Sequence, residues 1–286
     1  MLSNAIASEG FKLAKNRWMV WWAVGFAAAG SILAGFFQLS QIMARIPAQT
    51  RASVPVDVSA ALLQRAWGTT PETLSFFVAM IFLMFTAAVV YGGDYRWQTW
   101  RLIGPRNSRL NIFLGKVTVM LLTILAATVL LLVVGVLMAL ANALLNGAPM
   151  AWTFGAKPSY WLVFFSMYFV SVLHILQVTS VVAFAAVLTR SISGGLLTGL
   201  LVFVVQLGMQ LGLAQQQGMP DFTQLLTVPG LAADVVRQHV GSVLINGQQI
   251  VPEANAQQAL LAVILWILIP LAGAAALLLH QDLSKE

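Results

Sequence analysis

The chain has 286 residues, of which 59% are hydrophobic and only 8% are charged, whereas soluble domains carry about 25% charged residues. So few charges cannot cover a soluble globule of this size, which argues against a cytosolic enzyme, a nucleic-acid-binding protein and a disordered tail. The net charge of +6 fits the positive-inside bias of membrane proteins and needs no nucleic-acid partner. The absence of cysteine excludes disulfides, thiolate catalysis and thiolate metal sites.

The first segment, 1–17, predicts an amphipathic helix. Its apolar side chains fall on one side and Glu9 and Lys12 on another, as in a helix that lies on the inner leaflet of a membrane. The charges in this segment and the length of the apolar run that follows argue against a cleavable signal peptide.

Six apolar segments follow, and each is long enough to cross a hydrocarbon core of about 30 Å as a helix. They are 18–37, 74–91, 112–140, 161–188, 194–213 and 259–279. We therefore expect an all-α integral membrane protein with six transmembrane helices and a single domain, 1–286.

The distribution of Lys and Arg predicts the orientation. With the N-terminus inside, the inner segments hold ten Lys and Arg and four acidic residues, whereas the outer segments hold five of each. This asymmetry places both termini in the cytoplasm. The inner segments are then 1–17, 92–116, 189–193 and 280–286, and the outer ones are 38–73, 141–160 and 214–258.

The last outer segment, 214–258, is long and has its own predicted structure. Residues 221–228 and 231–240 predict two short helices separated by Pro229-Gly230. The Asn-Gly pair within 243–251 lies between apolar flanks and predicts a β-hairpin, because both turn positions need a positive φ.

Several chemistries lack the residues they need. No Asp or Glu lies inside the six segments, which disfavours an ion-coupled carrier. His174, the only histidine in a span, has no evident nucleophile beside it, which disfavours an intramembrane protease. No His, Asp or Glu cluster has metal-ligand spacing, so no metal site is predicted. The string at Gly115-Lys116 lacks the spacing of a phosphate-binding loop. If transport is driven by ATP, another polypeptide must bind ATP and Mg²⁺, and this chain binds no cofactor itself.

The inner loop between the second and third segments is rich in Arg and Trp. We expect Asp94, Trp97 and Arg101 to share one face of a short helix that Gly104-Pro105 ends. Such a loop suits lipid headgroups or a cytoplasmic partner protein. The candidate docking residues are Asp94, Trp97, Trp100, Arg101, Arg106 and Arg109.

At this loop the chain resembles the membrane-spanning subunits of type-2 ABC transporters, which pair with separate ATPase subunits. The resemblance is carried by Glu9 and Lys12 in the first helix and by Asp94, Thr99, Arg101-Leu102-Ile103, Pro105, Ser108-Arg109 and Gly115-Lys116. It implies that 94–109 acts as a coupling helix seated in a groove of the ATPase. It also implies an interface helix containing Glu9 and Lys12, a location in the bacterial inner membrane, and two permease copies with two ATPase copies. Within 214–258 it implies short helices at the outer leaflet.

Two polar pairs lie within the apolar segments. His174 and Gln177 are three residues apart, and Gln206 and Gln210 are four apart, so each pair shares a helix face. These four residues are candidates for a substrate path. The alternative is that they form interhelical hydrogen bonds that fix the packing.

The expected function is therefore that of a permease subunit without its own catalysis, which exports an apolar or amphipathic substrate such as an antibiotic, a peptide or a lipid-like molecule. One alternative is a membrane protein that binds or assembles a partner and transports nothing. A second is a lipid-modifying enzyme, for which Asp94 is the only candidate acid or base.

Overall fold

The structure, a computed structural model, describes residues 2–15, 18, 21–45, 47–53, 55–59, 74–97, 108–152, 159–213, 218–241 and 251–281. About 90% of these described residues are helical. In chain order its helices are α1 (Leu2–Lys15), α2 (Phe26–Arg45), α3 (Ala48–Ser53), α4 (Leu74–Arg96), α5 (Arg109–Asn146), α6 (Ser159–Thr189), α7 (Ile192–Leu213), α8 (Phe222–Thr227), α9 (Pro229–Gly241) and α10 (Glu253–His280). A π-helical turn, Trp21–Gly25, leads into α2.

Four of these helices, α5, α6, α7 and α10, are long and apolar enough to cross a membrane. They contain the last four of the six predicted segments. The first predicted segment overlaps α2 and the second lies in α4, and six membrane spans in all stays a prediction.

The first of the four, α5, is longer than its apolar segment. It has 38 residues, so it extends about 57 Å and projects beyond a hydrocarbon core of about 30 Å. The hydroxyl of Ser108 accepts a hydrogen bond from the Asn111 N–H and begins the helix, and Gly147 ends it with φ 61°. Helix-capping residues therefore set these ends, whereas hydropathy marked only the part within the membrane.

The two short helices of the outer segment form, with one difference from the prediction. A single residue, Val228, separates α8 from α9, and Pro229 and Gly230 belong to α9. Proline suits the first position of a helix because its fixed φ is close to the helical value. Its lack of an N–H costs nothing there, since an N–H at that position has no hydrogen-bond partner within the helix. Asp221 caps α8, because its carboxylate accepts a hydrogen bond from the backbone N–H of Gln224. This hydrogen bond holds the pKa of Asp221 below its usual range. The predicted hairpin lies almost entirely in 242–250, outside the described residues.

Helix α6 forms the centre of the bundle. In its most apolar stretch 78% of the residues are buried, compared with 22–33% in α5, α7 and α10. It packs against α4, α7, α9 and α10. Because lipid is as apolar as a leucine side chain, close packing holds these helices together more than apolar burial does.

Several of the segments predicted to share a side of the membrane meet in space. Strand β1 (Val56–Asp57) pairs in parallel with β2 (Met150–Ala151), so these parts of the predicted outer segments 38–73 and 141–160 lie at one end of the bundle. At the other end, α1 lies beside the end of α4 and the start of α5, and residue 281 contacts α4 and α6. We call these the outer and inner ends, after the predicted orientation.

Candidate functional site

Four charged side chains from three helices form an ion cluster at the inner end, made of Glu9, Lys12, Asp94 and Lys116. The Lys12 Nζ lies 2.6 Å from Glu9 Oε1 and 3.0 Å from Asp94 Oδ1. The Lys116 Nζ lies 3.2 Å from Glu9 Oε2 and 2.6 Å from Asp94 Oδ2. Each lysine therefore bridges both carboxylates, and the formal charges of the cluster cancel.

Three members of this ion cluster are almost completely buried. Glu9, Asp94 and Lys116 are at most 5% exposed, whereas Lys12 is partly exposed. Lys116 also donates a hydrogen bond of 2.6 Å to the Val90 carbonyl. Removing charges from water is costly, so such a group is stable only when its members stay paired and hydrogen-bonded. The cluster therefore holds α1, α4 and α5 in one arrangement.

A glycine lets α1 approach α5 closely enough for these contacts. A side-chain carbon added at Gly115 would lie 3.2 Å from the backbone carbon and oxygen of Ala5. Lys116 follows directly in the chain and reaches Glu9 across the same contact. The Gly115-Lys116 pair thus serves helix contact and charge pairing in this structure.

A second group of contacts, the C-terminal clasp, consists of Tyr95, Arg109 and Gln281. The Tyr95 hydroxyl donates to Gln281 Oε1 at 2.6 Å, and Gln281 Nε2 donates to the Val187 carbonyl at 3.1 Å. Arg109 Nη1 donates to the carbonyls of Leu279 and Gln281 at 2.9 and 2.6 Å. A cation at the carboxyl end of α10 also opposes the negative end of that helix dipole.

These contacts change the roles expected for the candidate docking residues. Asp94 lies in the last turn of α4, and its carboxylate is buried in the ion cluster. The rest of the predicted short helix falls in 98–107, outside the described residues, so that helix stays a prediction. Arg109 binds the end of α10. Trp97 is exposed, directly after α4. Trp100, Arg101 and Arg106 lie outside the described residues.

A second polar group, the membrane polar network of His174, Gln210, Asp234 and Arg237, lies at the midpoint of α6 and the last turn of α7. Arg237 Nη1 donates to Asp234 Oδ1, and Gln210 Nε2 donates to Asp234 Oδ2. Arg237 Nη2 lies 3.2 Å from His174 Nδ1. A guanidinium can only donate, so Nδ1 of His174 accepts and its ring proton is on Nε2.

The depth of this network follows from α6. His174 lies 15 residues from each end of that helix, or about 22 Å from either end. Helix α9 therefore carries Asp234 and Arg237 to the midpoint of α6, beside Gln210 in the last turn of α7. Gly230 makes room for this approach, because a side-chain carbon there would lie 2.7 Å from Gln210 Oε1.

The four candidate path residues have different surroundings. His174 and Gln210 belong to the membrane polar network, and Gln206 is buried. Gln177 is 1% exposed, and neither its amide nitrogen nor its amide oxygen has a hydrogen-bond partner among the described residues. The sequence prediction overlooked Asp234 and Arg237 because they lie in a segment assigned to the outer side. Their spacing of three in an apolar helix was the available signal.

Neither polar group is arranged as a metal site. Within the described ranges no set of three or more His, Asp or Glu side chains is placed to hold a metal ion. Each carboxylate of the ion cluster faces two ammonium groups, so its charge is already balanced.

No protein-family model, no curated protein and no solved structure matches this chain significantly.

Proposed function

We propose that this chain is the membrane-spanning permease subunit of an ATP-driven exporter with the type-2 ABC arrangement. It has six spans, with both termini in the cytoplasm of a bacterial inner membrane. It works with a second permease copy, two ATPase subunits and the surrounding lipids. The supporting observation concerns the Arg- and Trp-rich inner loop. The residues on either side of its central part, 98–107, are anchored to several helices. Asp94 and Tyr95 precede the loop, and Arg109 and Lys116 follow it.

This anchoring suits a loop that transmits force. A partner that moves the loop pulls on α4 before it and on α5 after it. The ion cluster passes that displacement to α1, and the C-terminal clasp passes it to α6 and α10. Packed helices move as rigid bodies because a close-packed core does not deform continuously. ATP-driven movement of the loop would then open and close the interface between two permeases.

The docking contact itself is assigned to Trp100, Arg101 and Arg106 and to Trp97, which is exposed. Asp94 and Arg109 act differently, because their charged groups bind other parts of the same chain. They position the loop and do not touch the ATPase. Since the sequence lacks a phosphate-binding loop, the ATPase is a separate polypeptide.

The surroundings of Asp94 argue against the lipid-modifying alternative, for which it was the only candidate acid or base. A general acid or base must exchange a proton with a bound substrate within hydrogen-bond reach. Asp94 is buried and lies between two lysines, at 3.0 and 2.6 Å. The remaining alternative is a membrane protein that binds a partner and transports nothing.

The first test is co-purification of the chain with the products of its neighbouring genes in mild detergent. We expect a protein with a phosphate-binding loop to come down in equal amount, and Arg101→Glu to release it because the substitution reverses a docking charge. Arg45→Glu is the matched control, since it reverses an exposed charge in α2, outside the inner segments. The proposal is wrong if no such ATPase associates, or if the two variants behave alike.

A second measurement separates transport from partner binding. In vesicles that contain the chain and its ATPase, Arg101→Glu should abolish substrate-dependent ATP hydrolysis and export together. If the ATPase binds but wild-type vesicles export nothing, the chain is a partner-binding protein.

A further inference from the structure

Gln177 lies at a depth where an unpaired amide is costly. It follows His174 by one turn of α6 on the same face, near the middle of that helix. Its side chain is 1% exposed, and no described residue bonds to its amide nitrogen or oxygen. Buried polar groups in native proteins are normally hydrogen-bonded, so an exception calls for an explanation.

The neighbouring membrane polar network also has an unused donor. The Arg237 guanidinium is completely buried and uses both terminal nitrogens, on Asp234 and on His174. Its Nε has no hydrogen-bond partner among the described residues. Among the described residues, the groups without a hydrogen bond in this region are thus two donors, Gln177 Nε2 and Arg237 Nε, and one acceptor, Gln177 Oε1.

The charges of this region indicate what a ligand must be like. Arg237 and Asp234 cancel, and His174 accepts at Nδ1 and is neutral. A charged headgroup would add an unbalanced charge in a medium where that is expensive. An uncharged group that both donates and accepts fits the unused atoms, because it completes hydrogen bonds without changing the charge. The amide group, with an N–H beside a C=O, has this property.

We propose that Gln177, beside the His174–Arg237 contact, forms a binding site for the uncharged amide group of an amphipathic ligand, such as a peptide bond attached to an apolar chain. The ligand is the substrate of the exporter, and that part of the inference rests on the proposed function. Because Arg237 has no exposed surface, the structure represents the closed form of the site. Movement of α9 relative to α6 admits the ligand.

The test uses the full-length chain alone in detergent, without any ATPase, and titrates it with dodecanamide. Two probes of similar chain length control for chemistry: methyl dodecanoate, which has a carbonyl without an N–H, and dodecanoate, which is charged. We expect dodecanamide to bind and to raise the unfolding temperature. The ester and the carboxylate should bind about tenfold more weakly, the loss expected when one or two hydrogen bonds are missing.

Gln177→Leu tests the residue. The substitution removes an amide with no described partner, so the unfolding temperature should stay the same or rise, while dodecanamide binding weakens about tenfold. Thr179→Val is the matched control, because Thr179 is equally buried but its hydroxyl bonds to carbonyls of its own helix. This control should bind dodecanamide as the wild type does.

Each contrary result is distinct. If wild-type chain does not prefer dodecanamide over both probes, the amide site does not exist, whatever the variants do. If Gln177→Leu folds and binds as tightly as wild type, Gln177 has no part in recognition. A failed co-purification would instead reject the exporter and leave this binding result intact.

Discussion

At the scale of single residues, the ion cluster makes Lys116 more important than its position near the start of a span suggests. It lies within 3.2 Å of both buried carboxylates and also bonds to the Val90 carbonyl. With Lys116 absent, Lys12 alone would face Glu9 and Asp94, and one negative charge would be left without compensation away from water. From the sequence alone, Asp94→Arg looks like a simple change at a docking surface. By the same reasoning as for Lys116, it would place three cations around Glu9.

Lys116→Met should therefore lower the free energy of unfolding by about 3–5 kcal/mol, the usual cost of removing one partner from a buried ion pair. Thermal or denaturant unfolding in detergent measures the change. Lys15→Met is the control, since Lys15 is an exposed lysine at the end of α1 and its loss should cost no more than about 0.5 kcal/mol. Combining Asp94→Asn with Lys116→Met should recover part of the lost free energy of unfolding. Equal effects of Lys116→Met and Lys15→Met would show that the cluster does not stabilise the protein.

At the scale of elements, the attachment of α1 to α5 depends on a residue without a side chain. The atoms nearest to an added carbon at Gly115 belong to the backbone of Ala5, which cannot turn aside as a flexible side chain can. The loss of this contact would also separate Glu9 from Lys116. One backbone approach therefore supports both the packing and the charge pairing of the first helix.

Gly115→Val should cost about 1–3 kcal/mol of stability through overpacking. It should also release α1, which we would detect as maleimide labelling of a cysteine placed at the buried Ala5. Gly208→Val in α7 provides the comparison, because among the described residues no atom beyond the adjacent backbone of α7 lies within 4 Å of an added carbon there. Unchanged protection of position 5 in Gly115→Val would contradict this account of the helix contact.

At the scale of the whole molecule, contacts join two of the three predicted outer segments at one end of the bundle and three predicted inner segments at the other. The inner segments meet through the ion cluster and the C-terminal clasp, and β1 meets β2 at the other end. Which end faces the cytoplasm is predicted by the positive-inside bias alone. The natural lack of cysteine makes this orientation simple to test.

We expect Met219→Cys to react with a membrane-impermeant maleimide in intact spheroplasts, and Ser193→Cys to react only after permeabilisation. Both positions are exposed, and they lie in segments predicted on opposite sides. The unmodified chain is the blank. Labelling of Ser193→Cys in intact spheroplasts would show that the predicted orientation is wrong. The Arg- and Trp-rich loop would then lie outside the cytoplasm, where it could not contact a cytoplasmic ATPase.

The sequence by itself determined that this is a helical membrane protein, where most of its apolar helices lie and that 1–17, 92–116 and 280–286 share an end. These properties depend on hydropathy and charge counts, which are local along the chain. Only the tertiary structure decided that Asp94 is buried between Lys12 and Lys116, and that α9 brings Arg237 to His174. The physical reason is that a charge's role depends on the charges that face it. In this chain those charges belong to other helices, and helix packing alone brings them together.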